Sequence, residues 1–247
     1  MVRITLFLLI FVFGLEAWCG ELRVCVINSY TIPPAKEVEA SVKEALKQEG
    51  YAVVDEGCDI KVVLGTPALA EELKRGEFKK LVFTFVLFPE ELLERYKRDN
   101  VYGVRIFPLP ERTVKSFLKG KKRRRVKVAV PVSREMLSIA RVYLPKRYFK
   151  ILTFEHSPAE VFSKLTRYKY VYIFPDPKLL KVVNLLRLIG FGKESGIEFL
   201  TGLGDLKRYG VDYTQQVSYK GLVRSLVEAV KGKPKKKILP CPVEGCE

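Results

Sequence analysis

The sequence predicts an α/β protein made of two lobes, each a parallel sheet wrapped by helices, joined by a hinge. Three observations predict it. The apolar run Val62-Val63-Leu64 stops at Gly65 and restarts as a helical pattern from Ala68 to Lys74. Thr66 is placed to cap that helix, and Pro67 takes a first-turn position where a missing N–H costs nothing. The same grammar returns at Ser157-Pro158-Ala159-Glu160, with an acidic residue three places after its cap, and at Asp176-Pro177. Near the middle of the chain, Pro108 and Pro110 interrupt the alternation and mark the hinge. Repeated strand, cap and helix units give Rossmann-like lobes whose helix starts line up at the carboxyl ends of the strands.

In order, residues 22–28 read as a buried strand. A loop from Ser29 to Pro34 follows, then an amphipathic helix over 35–49 with Val38, Val42, Ala45 and Leu46 on one face and Gly50 at its end. Residues 51–54 and 60–65 are both strand-like. About five residues separate them, where a parallel crossover takes a dozen or more. Residues 51–54 are therefore expected to pair antiparallel or to serve as an extended connector. A strand at 80–88, a helix over 89–98 and a strand at 101–107 complete the first half. After the prolines, a helix over 111–118 leads into the basic run from Lys119 to Arg125. The alternation restarts with a strand at 126–130, a helix from Ser133, a strand at 149–154 and a helix from Ser157. A strand at 170–174, a helix over 176–189, a strand at 197–203 and a helix over 212–230 close the pattern.

The chain has 247 residues, 48% hydrophobic and 29% charged, a composition that fills one large or two small cores and excludes a disordered chain. Its start is set apart. Met1-Val2-Arg3 precedes an apolar run over 4–15, the charged start and apolar centre of an export signal, shorter than the roughly 20 residues of a membrane helix. Cleavage is expected after Cys19, leaving a periplasmic or otherwise extracytoplasmic protein. An uncleaved anchor and a lipid on Cys19 are the alternatives. Cys25, Cys58, Cys241 and Cys246 would remain. Cys241 and Cys246 are spaced to close a small loop, whereas Cys25, central in an apolar strand, reads as a buried, unreactive thiol. No metal or other cofactor is expected, because His156 is the only histidine and no second close cysteine pair exists. Asn and Gln number three each against abundant Lys, Arg and Glu, which leans towards a thermophile.

Several segments together resemble the substrate-binding proteins of ABC transporters, specifically uncharacterised exported binding components with the type I periplasmic-binding fold. The resemblance rests on Gly65-Thr66-Pro67-Ala68 after an apolar strand and on Phe83-Thr84 followed by a helix start at Pro89. Further matches are Asn100-Val101-Tyr102-Gly103-Val104, Phe174-Pro175-Asp176-Pro177, Asp212-Tyr213 opening the last long helix, and Gly232-Lys233-Pro234 closing it. It implies two lobes that close on a small solute, three chain crossings between them, and a permease as partner. The implied division is a signal at 1–19, a first lobe from 20–107 and 208–232, and a second lobe from 108–207 and 233–247. The chain departs from this family at Phe88, where Asp is usual before the proline, and in lacking a helix between its second and third strands.

Candidate binding residues follow from the capped strand ends. A bound carboxylate or phosphate gains most at a helix N-terminus, where unpaired N–H groups and the helix dipole point at it. Thr66, Pro67 and the backbone of Ala68 form an expected anion cradle in one lobe. Ser133 is the expected hydroxyl donor from the other lobe, and Asp176 the partner for a cationic or hydroxyl group. Asn28, Ser29 and Tyr30 end the first strand, and Thr84 with Phe85 offers a hydroxyl and an aromatic wall. The plainer reading makes Thr66, Ser133 and Asp176 ordinary helix caps, each worth about 1 kcal/mol.

Charge is uneven along the chain. Residues 20–107 carry 13 basic and 15 acidic side chains, whereas 108–247 carry 30 basic and 12 acidic, so the second half holds the excess of the +16 chain. Such a lobe draws anionic solutes, acidic partner surfaces or anionic lipid, which makes electrostatic contact with an anionic membrane surface a further expectation. Nucleic acid is not expected as a partner, since the basic run at 119–125 comes without an RNA-binding or zinc-finger motif and behind an export signal. Catalysis is not expected either. The chain has no Gly-x-Ser-x-Gly and no His-Glu-x-x-His, and Gly190-Phe191-Gly192-Lys193-Glu194-Ser195 puts Glu where a phosphate loop needs Ser or Thr. The expected function is an exported solute-binding component of an ABC transporter that holds a small, anionic or amino-acid-like solute in an interlobe cleft. An exported sensor or partner-binding protein with a lost or altered solute site is the alternative.

Overall fold

Alternating strand residues feed two apolar faces on each of two sheets. The computed structural model describes residues 22–119, 121 and 126–244. The expected export signal, Cys246 and most of the basic run lie outside them. Among the described residues no helix is long and apolar enough to cross a membrane.

The first half contains β1 (Arg23–Asn28), α1 (Pro33–Gln48), β2 (Ala52–Val53), β3 (Ile60–Leu64), α2 (Thr66–Arg75), β4 (Lys80–Thr84), α3 (Glu90–Tyr96) and β5 (Val101–Val104). The second contains α4 (Pro110–Leu118), β6 (Val128–Ser133), α5 (Leu137–Tyr143), β7 (Phe149–Phe154), α6 (Phe162–Leu165), β8 (Tyr170–Tyr172), α7 (Val182–Glu194), β9 (Glu198–Thr201) and β10 (Tyr213–Thr214). The chain ends with α8 (Tyr219–Lys231) and β11 (Ile238–Leu239). One sheet runs β11-β5-β4-β3-β1-β2 and the other β10-β9-β8-β6-β7. Every pairing between these strands is parallel.

In the first sheet Val24, Val62, Leu64, Val82 and Val104 pack under α1 and α8. Their neighbours Val63, Leu81, Phe83 and Val101 pack under α2 with Leu69 and Leu73. This is the period of two that parallel strands buried on both faces require. The second sheet divides in the same way, with Ala129, Leu152, Val171 and Phe199 against the α7 side and Val128, Val130, Tyr170 and Tyr172 on the other. Lys80 ties α8 to the first sheet by donating to the carbonyls of Ala229, Val230 and Gly232 at the helix end.

Several expectations need correcting. Residues 52–53 pair parallel to β1, on the side away from β3, so the short connection does not join neighbouring strands. Residues 54–59 instead pass across the β1 edge. Val24 faces α1, so Cys25 points to the opposite face, and there it is bonded to Cys58 with the sulfurs 2.03 Å apart. Cys25 is thus a bridge partner and not an inert thiol. The disulfide pins the crossing segment, at the place where the resembled family usually has a helix and this chain, as expected, lacks one. Among the described residues Cys241 is a buried free thiol, which burial pushes up to about 12, and its expected partner Cys246 lies outside them.

The helix expected at Asp176 begins at Val182, and the one expected at Asp212 begins at Tyr219 with Ser218 as its cap. Asp212 instead accepts from the Phe199 N–H at 2.7 Å, next to the short edge strand β10. Thr66 is the first helical residue of α2 and not its cap, because Gly65 takes the cap position with φ +108°, where only glycine sits without strain. The tail segment expected in the second lobe supplies β11 to the first sheet, beside Gly103 and Val104. It then turns back so that Val243 bridges Val217 in antiparallel fashion.

Candidate solute site between the lobes

The expected site residues lie at or just beyond the ends of parallel strands. In the first lobe the end of β1 meets the start of α2. A Cβ on Gly65 would stand 2.3 Å from the Ser29 hydroxyl and 3.0 Å from the Tyr30 ring, so the bare glycine permits their close approach. Ser29 Oγ donates to the Leu64 carbonyl at 3.0 Å and accepts from the Ala68 N–H at 3.4 Å. The Tyr30 hydroxyl accepts from the Thr66 N–H at 3.5 Å. The last two bonds are long, and Pro67 has no N–H to give. Ser29, Thr66 and Pro67 are exposed and Tyr30 is half-buried. The structure therefore brings Ser29, Tyr30, Thr66, Pro67 and Ala68 together on an accessible rim whose amides retain capacity for an anion.

Asn28 is engaged behind this rim. Its amide donates to Glu39 at 2.9 Å and its oxygen accepts from the Tyr30 N–H at 2.9 Å, which fixes the loop. Partial burial raises the Glu39 pKa, but hydrogen bonds from Lys43 and Asn28 outweigh it and hold the carboxyl below its usual value.

The other expected residues turn inward. Thr84 is fully buried and donates to the Val104 carbonyl at 3.1 Å. Phe85, at φ +57°, is 7% exposed and packs in the core under α1. Asp176 is fully buried and accepts from the N–H groups of Ser133 at 2.6 Å, Lys178 at 2.9 Å and Leu179 at 3.3 Å. Ser133 is equally buried, and among the described residues its hydroxyl has no hydrogen-bond partner. Asp176 and Ser133 meet inside the second lobe, where both are fully buried.

What the strand-end reading missed is a lock across the lobes. Phe88 stacks on Phe174 with ring centres 5.5 Å apart and meets the edges of Tyr143 at 5.1 Å and Phe107 at 6.0 Å. Beside it the Glu90 carboxylate accepts from both the Arg105 guanidinium and the Tyr143 hydroxyl. Arg105 also lies over the Tyr143 ring at 5.4 Å. Phe88 was visible as a departure from the resembled family, whereas nothing local in the sequence pairs Glu90 with Tyr143, 53 residues away.

The fold matches solved structures over about nine-tenths of the chain. The ligand-free, open substrate-binding protein CD0873 from Clostridium difficile, described as having adhesive properties, matches with TM-score 0.65 and 13% identity, covering 90% of this chain and 89% of that one. The chain has the type I periplasmic-binding fold. A conserved domain protein from Vibrio cholerae matches at TM-score 0.55 with 13% identity over 90% of both chains. An ABC domain from Streptococcus pneumoniae in complex with L-Trp matches at 0.51 with 14% identity, over 90% of this chain and 89% of that one. No family model and no curated protein sequence matches the chain.

Proposed function

We propose that the protein is an exported solute-binding protein which captures a small solute carrying a carboxylate or phosphate between its lobes and delivers it to an ABC transporter permease. The observation that carries this reading is the first-lobe rim. Two exposed or half-exposed hydroxyls and the first-turn amides of α2 converge around Gly65, and their mutual bonds are long enough to be exchanged for a ligand. Binding proteins among the structures that share the fold support it at the level of binding. Closure on the solute would be the signal to the permease, and no chemical step is required.

Thermal-shift and calorimetric titration of the purified chain with amino acids, dicarboxylates and nucleoside monophosphates tests this. A stabilising solute is expected, with affinity falling about three- to tenfold in Ser29→Ala and in Tyr30→Phe for each hydrogen bond lost. A ligand that binds equally well to both variants would refute the assigned rim.

The lock formed by Phe88, Phe174, Glu90 and Tyr143 favours a second reading, an exported sensor or partner-binding protein that retains the fold without solute exchange. Under that reading no solute in the panel shifts the melting temperature, and the lobes stay closed in solution scattering.

A further inference from the structure

A second cavity belongs to the second lobe alone, and none of its lining residues lies on the interlobe rim. It holds about 790 Å³, within the range of small-molecule sites. Its origin is the shortness of α5, which has 7 residues and stops before Pro145. So short a helix leaves part of the edge strand β7 uncovered, and Leu137, Leu144, Phe149 and Ile151 form an apolar floor.

Four cations ring that floor: Lys127, Arg141, Lys146 and Lys150. They come from four different segments, the approach to β6, the helix α5, the turn before β7, and β7 itself. One lysine on an edge strand is ordinary protection against strand pairing, and Lys150 alone would be explained that way. Convergence of four is not. Among the described residues none of the four forms an ion pair, while the neighbouring Arg147 and Lys115 share Glu111 and Arg134 takes Glu155. Lys127 donates to the Lys146 carbonyl, which holds its ammonium at the rim. In the sequence the basic run Lys122-Arg123-Arg124-Arg125 precedes Lys127, with Val126 between them.

Unneutralised cations around an apolar floor are complementary to one chemical type. We infer that this cavity binds an amphiphilic anion, a phosphate head joined to an apolar chain, with the head on Arg141, Lys127, Lys146 and Lys150 and the chain against Phe149 and Ile151. The head can be offered by an anionic phospholipid in a bilayer or by a soluble amphiphile.

The test uses the mature full-length chain with three probes: inorganic phosphate, monomeric dihexanoyl phosphatidic acid, and vesicles of phosphatidylcholine with or without phosphatidylglycerol. Two charge-reversed variants are compared, Arg141→Glu with Lys150→Glu in the cavity, and Lys207→Glu with Arg208→Glu on an exposed turn of the same lobe. The expected result is binding of the soluble amphiphile or of the anionic vesicles, weakened about tenfold or more by the cavity pair and less than about twofold by the control pair. A third variant, Ile151→Asp, is expected to weaken the amphiphile while leaving inorganic phosphate unchanged. Binding of the monomer alone assigns a free amphiphile, and binding of anionic vesicles alone assigns a bilayer lipid. Equal losses in the two charge-reversed proteins, equal affinity for inorganic phosphate and amphiphile, or no binding to any probe would overturn the inference.

Discussion

The carboxylate of Asp176 holds the backbone N–H of Ser133 at 2.6 Å, deep inside the second lobe. These residues follow β8 and end β6, neighbouring strands whose direct register is a single pair, Ala129 with Val171. One side chain therefore continues the sheet where backbone pairing stops, and it organises the turn at Lys178 and Leu179 with its other oxygen. Sequence placed both residues at the edge of a cleft. Their chemistry is instead that of a buried stitch.

Asp176→Ala leaves three N–H groups, two of them buried, without this acceptor and is expected to cost about 2–4 kcal/mol, well above a surface cap. Chemical denaturation checks this. A variant with unchanged stability and reduced solute affinity would return Asp176 to the binding site.

Cys58→Ser removes a covalent link between residues 33 apart and is expected to lower stability by about 2–4 kcal/mol. Reductant should lower the melting temperature of the native protein and leave that of the variant unchanged. The same melting temperature for both oxidised proteins would mean that the crossing segment is held without the bridge.

Phe88→Ala is expected to cost about 2–4 kcal/mol through loss of the aromatic stack, and to widen the interlobe angle. Small-angle scattering should give a larger radius of gyration for the variant. An unchanged radius would show that Glu90, Arg105 and Tyr143 suffice to hold the lobes together.

Glu160 gives a pH prediction. Its carboxylate accepts from the N–H groups of Glu155, Ser157 and His156 at 2.8–2.9 Å, and these bonds hold its pKa down from 4.5 to about 2. A carboxylate depressed in the folded state contributes stability above its unfolded value, and that contribution disappears as pH falls from about 4.5 through about 2. Glu160→Gln is expected to flatten the melting temperature profile in that window and to converge on the native protein near pH 2. Parallel profiles for the two proteins would refute the assignment.

The architecture was legible where the signals are local. Ser157 and Glu160 form the capping box that their spacing predicted, and residues 149–154 are the strand their pattern described. The turn at Gly65 was recognised, although the cap shifted by one residue. Features that depend on side-chain direction were not legible. Asp176 precedes a proline as a cap would, but packing turns its carboxylate towards β6, and Val182 starts the helix. Cys25 reads as an apolar strand residue until the chain crosses β1 and brings Cys58 to it. At the candidate site, the rim of Ser29, Tyr30 and Thr66 came from strand-end logic, whereas Glu90 and Tyr143 meet only because the two lobes do.

The placement of α8 and β11 also sets an order of assembly. Both complete the first lobe, α8 covering Val62, Val82 and Val104 and β11 closing the β5 edge, yet both are made after the second lobe. A nascent chain emerging N-terminus first presents all of the second sheet, residues 128–214, before the first can finish. Until the last helix arrives, the valine face of the first sheet stands open, which makes the late stage of synthesis the interval in which a chaperone has most to hold.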